Sequence, residues 1–171
     1  GVLDSECISC EPGKEAPQNS RPHAACIDCA AGKYGGTLNG NLARLDCINC
    51  AAGKYTASTG ATDETACLDC VAGKYSSAGL SACIECAAGK YSASTGTNAN
   101  AASVCIDCVA GKYSGSTGAA DDTVCTDCVA GKYSTAGLSA CIECAAGKYM
   151  YATISGSPVT GVTADEATGG G

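Results

Sequence analysis

The stretch Cys83-Ile84-Glu85-Cys86-Ala87-Ala88-Gly89-Lys90-Tyr91-Ser92 decides how this chain folds, because variants of it recur along nearly the whole length. All sixteen cysteines fall in C-x-x-C pairs that begin at Cys7, Cys26, Cys47, Cys67, Cys83, Cys105, Cys125 and Cys141. Successive pairs start 19, 21, 20, 16, 22, 20 and 16 residues apart. Self-similarity on such a period is the mark of stacked units that each contact their neighbours. A longer period lies above it: residues 67–91 and 125–149 agree at 23 of 25 positions, so the array grew by duplicating blocks of three units.

Both ends depart from the pattern. The first unit reads Glu11-Pro12-Gly13-Lys14-Glu15, with Glu15 in place of the tyrosine and an irregular loop holding Pro17, Arg21, Pro22 and His23. After Tyr149 the Ser/Thr-Gly loop gives way to Met150-Tyr151-Ala152-Thr153-Ile154, and no cysteine follows Cys144. The chain therefore divides into an irregular N-terminal repeat (1–25), a tandem cysteine-rich array (26–144) and a divergent Cys-free segment (145–171) that reads as an interface or a linker.

Composition explains the cysteines. The 171 residues include no Trp, no Phe and one Met, and the 46% hydrophobic content leans on Ala and Cys. At about 25 cal/mol per Å² of buried apolar surface, such side chains do not offset about 1–2 kcal/mol of backbone entropy per ordered residue. Covalent cross-links must substitute, and a cysteine fraction of about 9% is in the range of disulfide scaffolds. Disulfides persist in oxidising compartments, which places the chain outside the cell, secreted or at the cell surface. With no leader pattern and no apolar run near about 20 residues, it reads as a mature product or a piece of one, with no membrane insertion in this segment. The formal charge of −7 disfavours nucleic acid and anionic membranes as partners.

Each residue of the phrase has a mechanical reading. The glycine turns the backbone after the cysteine pair. Lys-Tyr-Ser then forms a short strand, with the Tyr ring half-buried over the sulfurs. Ile8, Ile27, Ile48, Leu68, Ile84, Ile106 and Ile142, each following a first cysteine (Thr126 is the exception), are expected to make the contacts between units. Loops such as Ser58-Thr59-Gly60 and Ala78-Gly79-Leu80 read as solvated. No 3.6-residue apolar period supports helix. The fold class is small, disulfide-rich, mostly β and irregular: an elongated rod of about eight tandem repeats, each with two short antiparallel strands.

Counting alone does not fix disulfide connectivity. A bond inside one C-x-x-C strains the backbone and constrains almost nothing. Joining the second cysteine of one pair to the first of the next closes loops of 12–18 intervening residues, each worth about 3 kcal/mol in the chain-entropy account. That scheme gives Cys10–Cys26, Cys29–Cys47, Cys50–Cys67, Cys70–Cys83, Cys86–Cys105, Cys108–Cys125 and Cys128–Cys141. It leaves Cys7 and Cys144 for partners outside this stretch of chain or in another subunit.

The pattern C-x-x-C-x-x-G-x-Y followed by a loop and another C-x-x-C, over residues 7–149, resembles the cysteine-rich repeats of ephrin-receptor-like and TNF-receptor-like ectodomains. Long arrays of the first kind occur in large surface proteins of protists and algae. The resemblance implies an elongated array of small β modules with forward pairing of the second cysteine. The third cysteine pair of many TNF-receptor modules is missing here.

Rival chemistries are weaker. Two C-x-x-C pairs at this separation also describe zinc sites, but zinc would group the motifs in twos, whereas one uniform series runs on a three-unit cycle. A redox C-x-x-C needs one reactive pair at a helix start. The acidic residue before six second cysteines (Asp28, Asp69, Glu85, Asp107, Asp127, Glu143) and the lysine of each Gly-Lys read as ion pairs along the array, ahead of a calcium ladder. His23, the single histidine, has no base or nucleophile beside it. The reading is therefore a non-enzyme without metal or cofactor. No N-x-Ser/Thr sequon occurs, but 31 Ser and Thr crowd the loops, so O-linked glycans are expected, with Ser58, Thr59, Ser94, Thr95, Ser116 and Thr117 as acceptors.

Near-identical repeats favour self-association into a polymer: a structural subunit of an extracellular filament, a flagellar-hair-like appendage or a cell-surface matrix. The alternative is the ectodomain of a receptor or adhesin that binds a protein ligand.

Overall fold

A computed structural model describes residues 10–16, 25–36 and 46–148. The positive-φ glycine expected after each cysteine pair is present, from Gly13 (φ 85°) to Gly147 (φ 76°). It closes a tight turn in which the lysine N–H donates back to the carbonyl three residues earlier, as in Lys74 to Val71 at 3.1 Å. The Lys-Tyr that follows is the first strand of a hairpin, and the segment after the next first cysteine is the second. Seven antiparallel pairs result: β1 (Lys14–Glu15) with β2 (Ile27–Asp28), β3 (Lys33–Gly35) with β4 (Cys47–Asn49), β5 (Lys54–Tyr55) with β6 (Leu68–Asp69), β7 (Lys74–Tyr75) with β8 (Ile84–Glu85), β9 (Lys90–Tyr91) with β10 (Ile106–Asp107), β11 (Lys112–Tyr113) with β12 (Thr126–Asp127), and β13 (Lys132–Tyr133) with β14 (Ile142–Glu143). Helix is almost absent among the described residues: three-residue 3₁₀ turns occupy Glu64–Ala66, Gly96–Asn98, Ala102–Val104 and Asp122–Val124.

The structural module is offset from the sequence unit. It runs from one second cysteine to the next: Cys10–Cys29, Cys29–Cys50, Cys50–Cys70, Cys70–Cys86, Cys86–Cys108, Cys108–Cys128 and Cys128–Cys144, numbered modules 1 to 7. One disulfide closes each: Cys10–Cys26, Cys29–Cys47, Cys50–Cys67, Cys70–Cys83, Cys86–Cys105, Cys108–Cys125 and Cys128–Cys141, with Cα–Cα distances of 5.5–5.8 Å. Cys144 has no disulfide partner among the described residues, and Cys7 lies outside them.

Backbone hydrogen bonds stack the modules. The turn-glycine N–H of one module donates to the carbonyl of the residue after the tyrosine in the next, as in Gly53 to Ser76 (2.8 Å), Gly73 to Ser92 (2.7 Å) and Gly89 to Ser114 (2.7 Å). A loop glycine then donates to the second-cysteine carbonyl at the start of the preceding module, as in Gly79 to Cys50 (2.9 Å) and Gly118 to Cys86 (2.9 Å). The loop also reaches one module further. A β-carbon placed on Gly73 would overlap the carbonyl oxygen of Gly118, two modules along. Gly73 must be glycine twice over, for its sign of φ and for this close approach.

The core is correspondingly small. Cys29, Cys50, Cys70, Cys86 and Cys108 are fully buried, as are Ala99, Ser76 and Ser92. The hydroxyl of Ser76 donates to the Lys54 carbonyl at 2.9 Å and that of Ser134 to the Lys112 carbonyl at 2.7 Å, so these polar side chains are buried without an unmet hydrogen bond. The isoleucine expectation is overturned at six of its seven positions: Ile27, Ile48, Leu68, Ile84, Ile106 and Ile142 are exposed, and Ile8 lies outside the described residues. Backbones too close for large side chains exclude them from the seam. The loops, read as solvated, contribute buried Ala61 and Ala119 to that seam.

Candidate functional site

Strand alternation gives each two-residue hairpin two cross-strand rungs. In one, lysine faces the acidic residue: Lys14–Asp28 (2.6 Å), Lys54–Asp69 (2.6 Å), Lys74–Glu85 (3.0 Å), Lys90–Asp107, Lys112–Asp127 (2.8 Å) and Lys132–Glu143 (3.2 Å) are ion-paired. At the remaining hairpin, Lys33 faces Asn49 and the rung carries no carboxylate. In the other rung tyrosine faces the aliphatic residue at five hairpins, as in Tyr34 with Ile48, Tyr75 with Ile84 and Tyr91 with Ile106, whereas Glu15 faces Ile27 and Tyr113 faces Thr126 at the other two. The tyrosines are half-buried. With Val71, Val109 and Val129 also exposed, the array repeats apolar side chains at its surface.

Local hydrogen bonds set the electrostatics. Asp63 accepts from the Thr65 hydroxyl and backbone N–H, and these bonds hold its carboxyl below the usual range; Asp121 is held down in the same way by Thr123. Glu85 is lowered by the Lys74 hydrogen bond first and then by Thr117, whose hydroxyl donates to it at 2.9 Å. Lys14 is raised by its hydrogen bond to Asp28. The carboxylates expected to compete between calcium and lysine are thus held by lysine. No group of three or more His, Cys, Asp or Glu side chains converges among the described residues.

The expected glycan acceptors are unequal. Ser58, Thr59, Thr95 and Ser116 are exposed, Ser94 is half-buried, and Thr117 is exposed with its hydroxyl committed to Glu85. His23 lies outside the described residues. A shallow cavity of about 340 Å³ is lined by Tyr91, Asp107, Lys112, Asp122 and Thr123. In it Lys112 is ion-paired to Asp127, and the lining supplies no nucleophile with an adjacent base. No described helix is long and apolar enough to cross a membrane.

The chain's extensive feature is therefore its seam, a surface that meets itself at every step. Sequence reasoning missed it, although the loop glycines Gly60, Gly79, Gly96, Gly118 and Gly137 recur at a nearly fixed distance after the tyrosine. The family described as tyrosine-protein kinase ephrin type A/B receptor-like matches residues 19–67 and 73–125, more than half of the chain. No curated protein matches it.

Proposed function

Because this chain belongs to the ephrin-receptor-like family of cysteine-rich repeats, a non-catalytic module of ectodomain type, we propose that it is an extracellular structural protein, a subunit of a filament, surface appendage or cell-surface matrix. The seven disulfides support the oxidising location. The observation that carries the structural role is the uniformity of the inter-module hydrogen bonds: the same donors meet the same acceptors from Gly32–Thr56 to Gly111–Ser134. A ligand-binding array is expected to distinguish one or two modules, whereas a spacer or fibre gains from sameness. In this reading the surface hydroxyls of Ser58, Thr59, Thr95 and Ser116 carry O-linked sugars, which keep the exposed apolar rungs from associating without specificity. The divergent segment 145–171 serves as the contact between subunits.

Immunogold electron microscopy of native material tests the role. Label repeating along regular fibres is the expected result, and label on isolated surface molecules sinks it. The exposed Tyr–Ile rungs favour a second reading, an adhesin or receptor ectodomain that docks a protein ligand along that face. It predicts a saturable partner whose binding falls when Ile84 and Ile106 are changed to serine.

A further inference from the structure

The disulfides are not equally shielded. Modules 3 to 6 lie within the unbroken stretch 46–148, so their four bonds can be compared directly. The second cysteines Cys50, Cys70, Cys86 and Cys108 are all buried, with no more than 1% of their surface exposed. The first cysteines divide. Cys67 and Cys125 are buried as well, at 5% and 8% exposed, whereas Cys83 and Cys105 are half-buried. Modules 3 and 6 thus enclose both cysteines of their bond, and modules 4 and 5 leave one within reach of solvent.

The segments leading into these cysteines differ in step. Cys67 follows the 3₁₀ turn Glu64–Ala66, which Asp63 caps by accepting the Thr65 N–H at 2.8 Å. Cys125 follows the turn Asp122–Val124, which Asp121 caps by accepting the Thr123 N–H at 3.0 Å. The turn before Cys105, Ala102–Val104, has no side-chain cap, and no 3₁₀ turn stands between β7 and Cys83. Charge follows the same division. Asp63 and Glu64 precede Cys67, Asp121 and Asp122 precede Cys125, while residues 76–82 and 92–104 hold no charged side chain. The acidic residue two positions after each first cysteine is ion-paired to lysine in all four modules, so it does not separate them. The attacking species in disulfide exchange is a thiolate anion, and enclosure and carboxylate repulsion therefore protect modules 3 and 6 together.

We propose that Cys70–Cys83 and Cys86–Cys105 are thiol-exchange sites, opened by an external low-molecular-weight thiol while Cys50–Cys67 and Cys108–Cys125 stay closed. The thiolate attacks Sγ of Cys83 or Cys105. A new S–S bond forms there, the protein cross-link breaks, and its electron pair leaves on Cys70 or Cys86, which takes a proton from solvent. A second thiolate then displaces Cys83 or Cys105 from the mixed disulfide. Two external thiols are oxidised to their disulfide as one protein disulfide is reduced. Opening removes the frame behind the seam bonds Gly53 to Ser76 and Gly73 to Ser92. With both bonds open, residues 71–107 form a flexible joint between two closed ends, a redox-controlled hinge within the array. Such a hinge goes beyond the filament reading and serves an ectodomain equally.

The test uses the full chain, oxidised and without denaturant, with any existing thiol first blocked by N-ethylmaleimide. Reduced glutathione is added in a graded series, the reaction is quenched with heavy-isotope N-ethylmaleimide, and peptides are fragmented to separate cysteines three residues apart. At low glutathione the expected products carry a glutathione adduct on Cys83 or Cys105 and heavy label on Cys70 or Cys86, at a rate at least about tenfold above any reaction at Cys50, Cys67, Cys108 or Cys125. Trypsin should then cut first at Lys74 and Lys90, with Lys54 and Lys112 resisting. Asp121→Ala, which removes both a cap and a carboxylate, should raise the reaction rate of Cys125 several-fold and leave that of Cys83 unchanged. One common rate for all eight cysteines overturns the proposal, as do adducts that appear first on Cys67 or Cys125, or an Asp121→Ala variant whose Cys125 reacts no faster.

Discussion

The seam between modules and the rungs on the hairpin surface are built from the same ten-residue phrase, yet one tolerates almost no side chain and the other carries all the large ones. In the seam, Gly73 approaches Gly118 backbone to backbone and Ser76 is fully buried. On the rungs, Lys54 meets Asp69 and Ile84 lies 45% exposed opposite Tyr75. The lesson is that adhesion between modules comes from geometry and backbone polarity more than from apolar area. Charge along the array is a local, solvent-screened matter.

The strongest way to break that contrast is to remove the covalent frame on which the seam depends. Replacing Cys70 and Cys83 by serine opens a loop of 13 residues' separation. A loss of about 3 kcal/mol is expected, enough to unfold the module and expose its neighbours to limited proteolysis. Next comes the seam itself. Gly73→Val and Gly131→Val suffer the same positive-φ strain, but Gly73→Val also collides with the Gly118 carbonyl. In denaturant titrations Gly73→Val should cost about 1–3 kcal/mol more than Gly131→Val; equal losses would show that the close approach is unimportant. Ser76→Ala removes one buried hydrogen bond to Lys54 and should cost about 1 kcal/mol.

The rungs should matter least. Asn49→Asp would supply the missing carboxylate opposite Lys33, and its gain should stay within about 0.5 kcal/mol and vanish in high salt. Acid titration follows the same order. Asp63, Asp121 and Glu85 have lowered folded-state values, so their contribution is present above the ordinary carboxylate range and disappears as pH falls through the folded values. Lys14 is raised, so its contribution holds below the ordinary lysine range and is lost only as pH climbs through its folded value. The shape of the stability curve at constant salt checks both signs.

Much of this architecture was legible beforehand because its signals are local. Gly13 or Gly89 after a cysteine pair dictates a turn, Lys-Tyr a strand, and the alternation of two-residue strands a facing of Lys90 by Asp107. The seam was not legible, for a physical reason: its contacts are between main-chain atoms, which every residue possesses. Ile84 and Ile106, the largest aliphatic side chains in their phrases, were assigned to the module contact by size, and size is what keeps them out. The loop glycines carried the information in their regular offset from the tyrosine, but glycine in a loop has a commoner explanation as a simple turn former.

The shared cysteine pair has a mechanical corollary. A pull on the two ends would travel through Cys29, across the bond to Cys47, along three peptide steps to Cys50, and on across the next bond. The intervening loops would hang slack beside that line. At about 3.5 Å per stretched residue and a Cα–Cα span of 5.5–5.8 Å per cross-link, each module could lengthen to only about 16 Å before covalent bonds bore the force. The fully reduced chain would pay out several times more. A strand wired this way behaves as an inextensible tether until it is reduced, and as a long, soft spring afterwards.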